Sequence, residues 1–295
     1  MQLDVSLAGF IVGIVVGLTG MGGGALMTPI LVIIFGIEPL AAVSSDLVAS
    51  FVMKPIGGGI HWRRGTVNLG LVRWLALGSI PGALGGSYLV SHLEGNIDEV
   101  LQTVLGSVLL VAACAMAIRA WLASHRPAVA PPTPDETRAP VRRLPTLAVG
   151  IVGGLIVGVT SVGSGSLMIV ALMLLYPRLS ARQLVGTDLV QAVPLVGAAA
   201  LGHVLWGDLQ FDLTGSLLLG CVPGVIIGAH WSSRANDAVI RPLLITVLTL
   251  SASKLLGASD ELLGVLILIA VLAAGAFIWR SRRRAYRDSV PTARE

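Results

Sequence analysis

Apolar residues fall into long runs along this chain, and the polar residues gather in the short stretches between them. Residues 5–35, 74–91, 101–118, 145–176, 189–207, 213–233 and 262–279 contain no Asp, Glu, Lys or Arg. Runs of roughly 18 or more such residues are long enough to cross about 30 Å of hydrocarbon as helices. Two of them, 5–35 and 145–176, are too long for one ordinary crossing, and each carries a glycine run near its middle. The pattern predicts helices over about 39–60, 69–92 and 98–122, then over about 181–205, 212–233 and 238–257, with a last one over 260–280.

The glycine-bearing runs are copies of one another. Gly17-Leu18-Thr19-Gly20-Met21-Gly22-Gly23-Gly24-Ala25-Leu26-Met27 recurs as Gly158-Val159-Thr160-Ser161-Val162-Gly163-Ser164-Gly165-Ser166-Leu167-Met168, at an offset of 141. One inserted residue later the offset is 142, which carries Asp46 onto Asp188, His61 onto His203 and Pro81-Gly82 onto Pro223-Gly224. The chain therefore divides into a first repeat over 1–123, a Pro-rich linker over 124–144, a second repeat over 145–257, the last helix and a basic tail over 281–295. Duplicated halves with hydrophobic segments interrupted at matching places point to a transporter's binding site.

Composition fixes the solvent. Hydrophobic residues make up 55% of the chain and charged residues 12%, with a mean hydropathy of +0.86; a soluble domain carries about 25% charged residues. The net charge of +4 comes from basic clusters flanking apolar runs, where it reports topology rather than nucleic-acid binding. Cys114 and Cys221 sit in different apolar runs without metal-ligand spacing, so neither a disulfide nor a metal site is expected. Placing the basic connections 61–73, 124–143, 177–182 and the tail in the cytoplasm makes run 145–176 enter and leave by one face. With its break near the midpoint, each arm has roughly 15 residues and reaches about 22 Å, which suits a re-entrant hairpin. The same rule applied to 5–35 leaves three crossings in the first repeat, and an odd number inverts the second. The expected fold is an all-α polytopic membrane protein built from two inverted-topology repeats. Each repeat has a glycine-broken re-entrant hairpin and about three spanning helices, and one extra helix follows. Reading each hairpin as a single long broken helix is the alternative, which gives nine spans.

A break at membrane depth frees backbone N–H and C=O groups that hydrocarbon cannot satisfy, so it persists where it lines a cavity or meets protein. Gly22, Gly23 and Gly24, with Gly163, Ser164, Gly165 and Ser166, can bring amides close to a ligand. Thr19, Thr160 and Ser161 add hydroxyls, and the second arm's positive dipole end faces the same place. Together these resemble an anion cradle, although small residues also simply let helices approach. Asp46 and Asp188 lie about two turns into the second helix of each repeat, too deep to be caps. A charge at that depth marks a pathway, a proton relay or an internal pair. Lys54 offers one fixed positive charge, and its repeat equivalent is Val196. Asp46 and Asp188, with His61 and His203, are the groups able to take a proton in transport; for the histidines, interfacial anchoring is the plainer role.

The glycine entry with Leu26 and Pro29, its Gly-Val-Thr-Ser-Val-Gly-Ser-Gly-Ser partner, the Gly186-Thr187-Asp188-Leu189 signature and the Pro-Gly-xx-Gly helices resemble the TauE/SafE sulfite exporter family, also called the toluene sulfonate uptake permeases. The resemblance spans nearly the whole chain. It implies a secondary transporter of the bacterial inner membrane for a small sulfur-containing anion such as sulfite or an organosulfonate, with Gly22–Gly24 and Gly163–Gly165 as substrate loops. It departs from the pattern where Ser44-Ser45-Asp46 stands in place of Gly-Thr-Asp. A proton gradient is the expected driving force and the C-terminus is expected in the cytoplasm. Partners are the anion and the bilayer, with a homodimer left open. A passive anion channel or a carboxylate transporter shares the same cradle. No cofactor is called for, and the absence of HExxH, GxSxG and Walker motifs argues against an enzyme or direct ATP coupling.

Overall fold

The computed structural model describes residues 2–19, 23–63, 65–93, 96–125, 141–177, 179–231, 237–259 and 261–266, and among them there is no strand. Ten helices follow in order: α1 Leu3–Thr19, α2 Gly24–Ile33, α3 Pro39–Arg63, α4 Leu69–Ser91, α5 Ile97–His125, α6 Arg143–Thr160, α7 Leu167–Leu175, α8 Ala181–Trp206, α9 Phe211–Trp231 and α10 Asp237–Leu255. Residues 261–266 are helical; the rest of the predicted last helix, the tail and most of the linker lie outside the described residues.

Local sequence explains where the helices begin. Pro39 opens α3, a position at which its missing N–H is not needed. Ser180 caps α8 in a closed box, its hydroxyl accepting from the Gln183 amide at 3.3 Å while Gln183 Oε1 accepts from the Ser180 amide at 3.0 Å. The Asn68 side chain accepts from the Leu71 amide at 3.1 Å to start α4.

Among the described residues five helices are long and apolar enough to cross a membrane, within α3, α5, α6, α8 and α9. Exposed Leu3, Leu7, Ile11, Phe211, Leu219 and Ile226 show that outward faces of the bundle are apolar, as lipid requires. Residue 114 of α5 is exposed and Cys221 buried, and both cysteines are free.

The packing order repeats between the halves. α1 packs on α9 and α6 on α4; α3 meets α8 and α5 meets α10; α2 touches α10 and α7 touches α5. Exchanging the halves turns α1–α9 into α6–α4 and α2–α10 into α7–α5, and leaves α3–α8 and α5–α10 as they are. The α1–α9 and α4–α6 contacts are backbone on backbone. A Cβ at Gly13 would stand 2.6 Å from the Cys221 carbonyl oxygen, and one at Gly154 2.3 Å from that of Ser79. Gly82, Gly86, Gly224 and Gly228 lie in these seams, whereas Gly85 faces open space.

Contact order gives the directions. Gly78 meets Leu147, Gly82 meets Ile151 and Gly86 meets Leu155, so α4 and α6 run parallel. Gly9, Gly13 and Gly17 meet Leu217, Cys221 and Val225, so α1 and α9 do too. The repeat-equivalent helices α3 and α8 instead cross antiparallel: Ser44 meets His203, Phe51 meets Gly197 and Gly58 meets Leu189.

The arms of the broken segments are unequal, which corrects the expectation of a break at the midpoint. α1 has 17 residues against 10 in α2, and α6 has 18 against 9 in α7. The glycine-lined first arms extend along a full-length partner helix, so they stay helical longer than their second arms. Tyr176, just past the end of α7, accepts from the Arg142 amide at 2.8 Å and lies 2.5 Å from the Thr146 hydroxyl. The chain thus returns to the start of α6.

Candidate functional site

The two breaks meet beside α3. A Cβ at Gly24 would fall 2.0 Å from the Ser161 carbonyl oxygen, and one at Gly23 3.4 Å from the Ser50 hydroxyl. α2 starts at Gly24, with Gly23 at its N-cap, and α7 starts at Leu167, so both second arms begin at the breaks as expected. Ser161 terminates α6 in the left-handed region at φ 59°, and Gly163 and Gly165 follow at +123° and +95°. Among the described residues Ser161 is the only non-glycine with positive φ. Such a conformation is disfavoured for an L residue, and a bond to Asp46 helps hold it there.

Asp46 is fully buried and well supplied with donors. The Ser161 hydroxyl donates to its Oδ2 at 2.6 Å, Thr28 Oγ1 to the same oxygen at 2.9 Å, and Ser50 to Oδ1 at 3.4 Å. One carboxylate therefore ties together α2, α3 and the second break. Asp188, equally buried, has sparser company. Gln191 Nε2 donates to its Oδ1 at 3.4 Å and the Gly165 amide lies against the carboxyl, but Oδ2 has no hydrogen-bond partner. Lys54 sits 6% exposed, its ammonium donating to the Ser164 hydroxyl and attracted by both aspartates. The Ser45 and Ser166 hydroxyls are buried without partners. The site thus holds one ammonium, two carboxyls, several hydroxyls and glycine amides, all shielded from bulk solvent. In so apolar a setting each charge acts far more strongly than in water.

Other predicted residues take different places. Thr19 and Thr160 lie at the breaks, but their hydroxyls donate to their own helices, to the Val15 carbonyl at 2.8 Å and the Ile156 carbonyl at 2.7 Å. His203 is not at an interface, which corrects the anchoring reading: its ring is fully buried, with Nδ1 2.8 Å from Ser44 Oγ and Nε2 2.7 Å from the Gly158 carbonyl oxygen. It ties α8 to α3 and to the end of α6, because that side of α8 faces protein rather than lipid. Gly22 and the side chain of His61 lie outside the described residues. Trp62, Trp206 and Trp231, near helix ends, are exposed, while Trp74 lies under the Arg143 guanidinium at 5.6 Å.

Sequence reading missed Thr28, Gln191 and Asn68 as partners. Asn68 donates its amide to the hydroxyl of Thr187, next to Asp188. Thr28 and Asn68 come from other helices and nothing in their spacing marks them, whereas Gln191 stands three residues after Asp188 on the same helix face, a spacing that could have found it. Among the described residues no group of His, Cys, Asp and Glu is arranged to hold a metal ion.

A bundle of apolar helices with charges and broken backbone gathered in its interior is the architecture of a multi-pass membrane transporter. A sequence model described as Sulfite exporter TauE/SafE matches residues 5–255, and the chain belongs to that family. It is similar to the probable membrane transporter protein YjnA of Bacillus subtilis (strain 168), 38% identical over 260 residues that cover 87% of this chain and 100% of that protein. The probable membrane transporter protein YdhB of the same organism is 24% identical over 233 residues, covering 79% of this chain and 91% of that protein. No solved structure matches.

Proposed function

We propose that this chain is a secondary transporter that carries a small sulfur-containing anion, sulfite or an organosulfonate, across the bacterial inner membrane in company with protons. The observation that carries this reading is Lys54, a buried ammonium held against Ser164 where the two breaks meet. A pyramidal or tetrahedral oxyanion has three oxygens for one ammonium, adjacent hydroxyls and loop amides, the donor set that broken helices provide.

Proton coupling follows from charge. With both carboxyls ionised the Asp46, Asp188 and Lys54 cluster carries one net negative charge, which repels an anion. Taking up a proton with the anion keeps the buried charge constant, and an uncompensated buried charge is costly. Each half is read as an inverted copy of the other with a re-entrant hairpin, and the C-terminus as cytoplasmic. The antiparallel crossing of α3 and α8 and the return of Tyr176 to the start of α6 support that reading.

The test is uptake of labelled sulfite into proteoliposomes, with benzoate and acetate as competitors and with or without an imposed pH gradient. Uptake blocked by sulfonates, ignored by carboxylates and driven by the gradient is expected. Preference for carboxylates would sink the substrate class, and flux indifferent to the gradient would make this a passive channel. For the topology, cysteines introduced at Pro132 and Pro177 should be labelled from the same side; opposite sides would remove the hairpin.

A further inference from the structure

We propose that the two equivalent aspartates have separate duties: Asp188 is the proton carrier, and Asp46 is a permanently ionised tie that holds the two breaks together. The proposal deepens the proton-coupled reading above and rests on it.

The division comes from what each carboxyl touches. Asp46 accepts hydroxyl protons from Thr28, Ser50 and Ser161. Hydroxyls can rotate, but Thr28 and Ser161 both address one oxygen, the arrangement of an acceptor-only carboxylate. Protonating it there would force at least one hydroxyl off, and the strained Ser161 would lose its anchor. Asp188 lacks such a collar. Beside Gln191 and the Gly165 amide, no hydroxyl reaches it, and among the described residues its Oδ2 has no side-chain hydrogen-bond partner although the residue is 1% exposed. That oxygen is open to a proton without breaking any bond, and a buried acceptor left unsatisfied is unfavourable.

The same contacts supply the coupling. Asp46 keeps its three hydroxyl donors whatever Lys54 does. Asp188 has one long side-chain bond, from Gln191 at 3.4 Å, so it depends more on the charge of the nearby Lys54 ammonium. An anion that binds Lys54 therefore competes directly with Asp188 for its main support. As the anion arrives, the Asp188 carboxylate takes one proton on Oδ2 and becomes a neutral acid; as the anion departs, Lys54 is freed and that proton leaves. One proton and one negative charge cross together, while the Asp46 carboxylate and the Lys54 ammonium keep their charges throughout.

Other groups facing Asp188 do not offer a competing acceptor. Arg119 acts on it from α5. From α3 come Lys54 and, beyond it, Asp46. α6 and α7 carry no titratable side chain between Thr146 and Leu175, and α4 between Trp74 and Leu89 has only Tyr88. On α8 itself His203 lies at the far end, bonded to Ser44 and Gly158.

The experiment uses the full chain in proteoliposomes with labelled sulfite. Two assays run in parallel: accumulation driven by an imposed pH gradient, and exchange in sulfite-loaded vesicles without a gradient. Wild type is expected to do both. Asp188→Asn is expected to lose accumulation at least tenfold while exchange falls only a few-fold. Asp46→Asn is expected to lose both, with a lowered melting temperature. Gradient-driven accumulation by the Asp188→Asn protein at the wild-type level overturns the assignment, as does its loss of exchange when correctly folded, or an exchange-only phenotype for Asp46→Asn. Should Asp188→Asn not fold, Asp188→Glu decides: a shifted pH midpoint of accumulation supports the carrier role and an unmoved midpoint overturns it. A wild type that moves sulfite without responding to the gradient defeats the proton-coupled reading itself, an outcome separate from any of these.

Discussion

The seams between α1 and α9 and between α4 and α6 are alike in almost every respect, whereas the two breaks they support are not. Both seams are parallel helix pairs in which glycine from each partner admits the other's backbone. The breaks differ in side chains: one offers Gly23 and Gly24, the other Ser161, Ser164 and Ser166, with Lys54 on only one of the two equivalent helices. The repeat is kept where backbone meets backbone, because no side chain can be added there. It is relaxed where hydroxyls and charges face a shared interior, because one site between two halves needs each group only once.

The sharpest way to break this comparison is to fill a seam. Gly154→Val or Gly224→Val places carbon within about 2.3 Å of a carbonyl oxygen of the neighbouring helix. Overpacking alone costs about 1–3 kcal/mol where neighbours can give, and here the neighbour is backbone. Loss of monodisperse protein in detergent is expected for both, one in each of the two seams. Gly85→Ala, in open space, should behave as wild type in the same chromatography. A seam variant that purified normally would mean the glycines are not what fixes the halves.

Lys54→Ala addresses the asymmetric side. The bundle should survive, since among the described residues the ammonium's hydrogen bond is to the Ser164 hydroxyl alone, but sulfite uptake should fall at least tenfold, about 1.4 kcal/mol or more in transition-state terms. Undiminished uptake by folded protein would remove the charge from the site. Ser161→Ala comes next in size. It deletes the shortest of the bonds to Asp46 and leaves that buried carboxylate with Thr28 and a long contact to Ser50. Bonds to charged groups contribute about 1.5–3 kcal/mol, so a melting temperature several degrees lower is the expected reading.

Much of this was legible in the residues. Uncharged runs gave the helices, the 141-residue offset gave the halves, and Ser180 with Gln183 gave the start of α8. Lys54, Asp46 and Asp188 could be singled out because a charge in an apolar run is rare. The partners could not. That α1 would lie on α9 and α6 on α4 is a matter of which glycine face meets which. Both faces carry the same spacing, so sequence alone does not say who pairs with whom. Nor could the different company of the two aspartates be read, since Thr28 and Ser161 reach Asp46 across 18 and 115 residues of chain. His203 was placed by its position at a helix end, and depth in the bundle proved to depend on what covers that end.

Tyr176→Phe is the mildest of these changes and bears most directly on the hairpin. On the 141-residue offset the first half already has Phe35 there, so the substitution writes one half's residue into the other. It removes the hydroxyl shared by the Arg142 amide and Thr146, at a cost of about 0.5–1.5 kcal/mol. The start of α1 is secured differently: Gln2 donates its amide to the Ser216 hydroxyl at 3.0 Å, and Ser6 Oγ donates to the Ser216 carbonyl at 2.8 Å. The first broken segment is therefore anchored to α9, and the two ends of the second are tied to each other. If that difference is real, Tyr176→Phe should raise hydrogen exchange at the Arg142 amide and the first turn of α6 while leaving α1 and α2 as they were. Equal loosening of both hairpins would show that the base of α6 is held by its seam with α4, as α1 is by its seam with α9, and that Tyr176 adds nothing of its own.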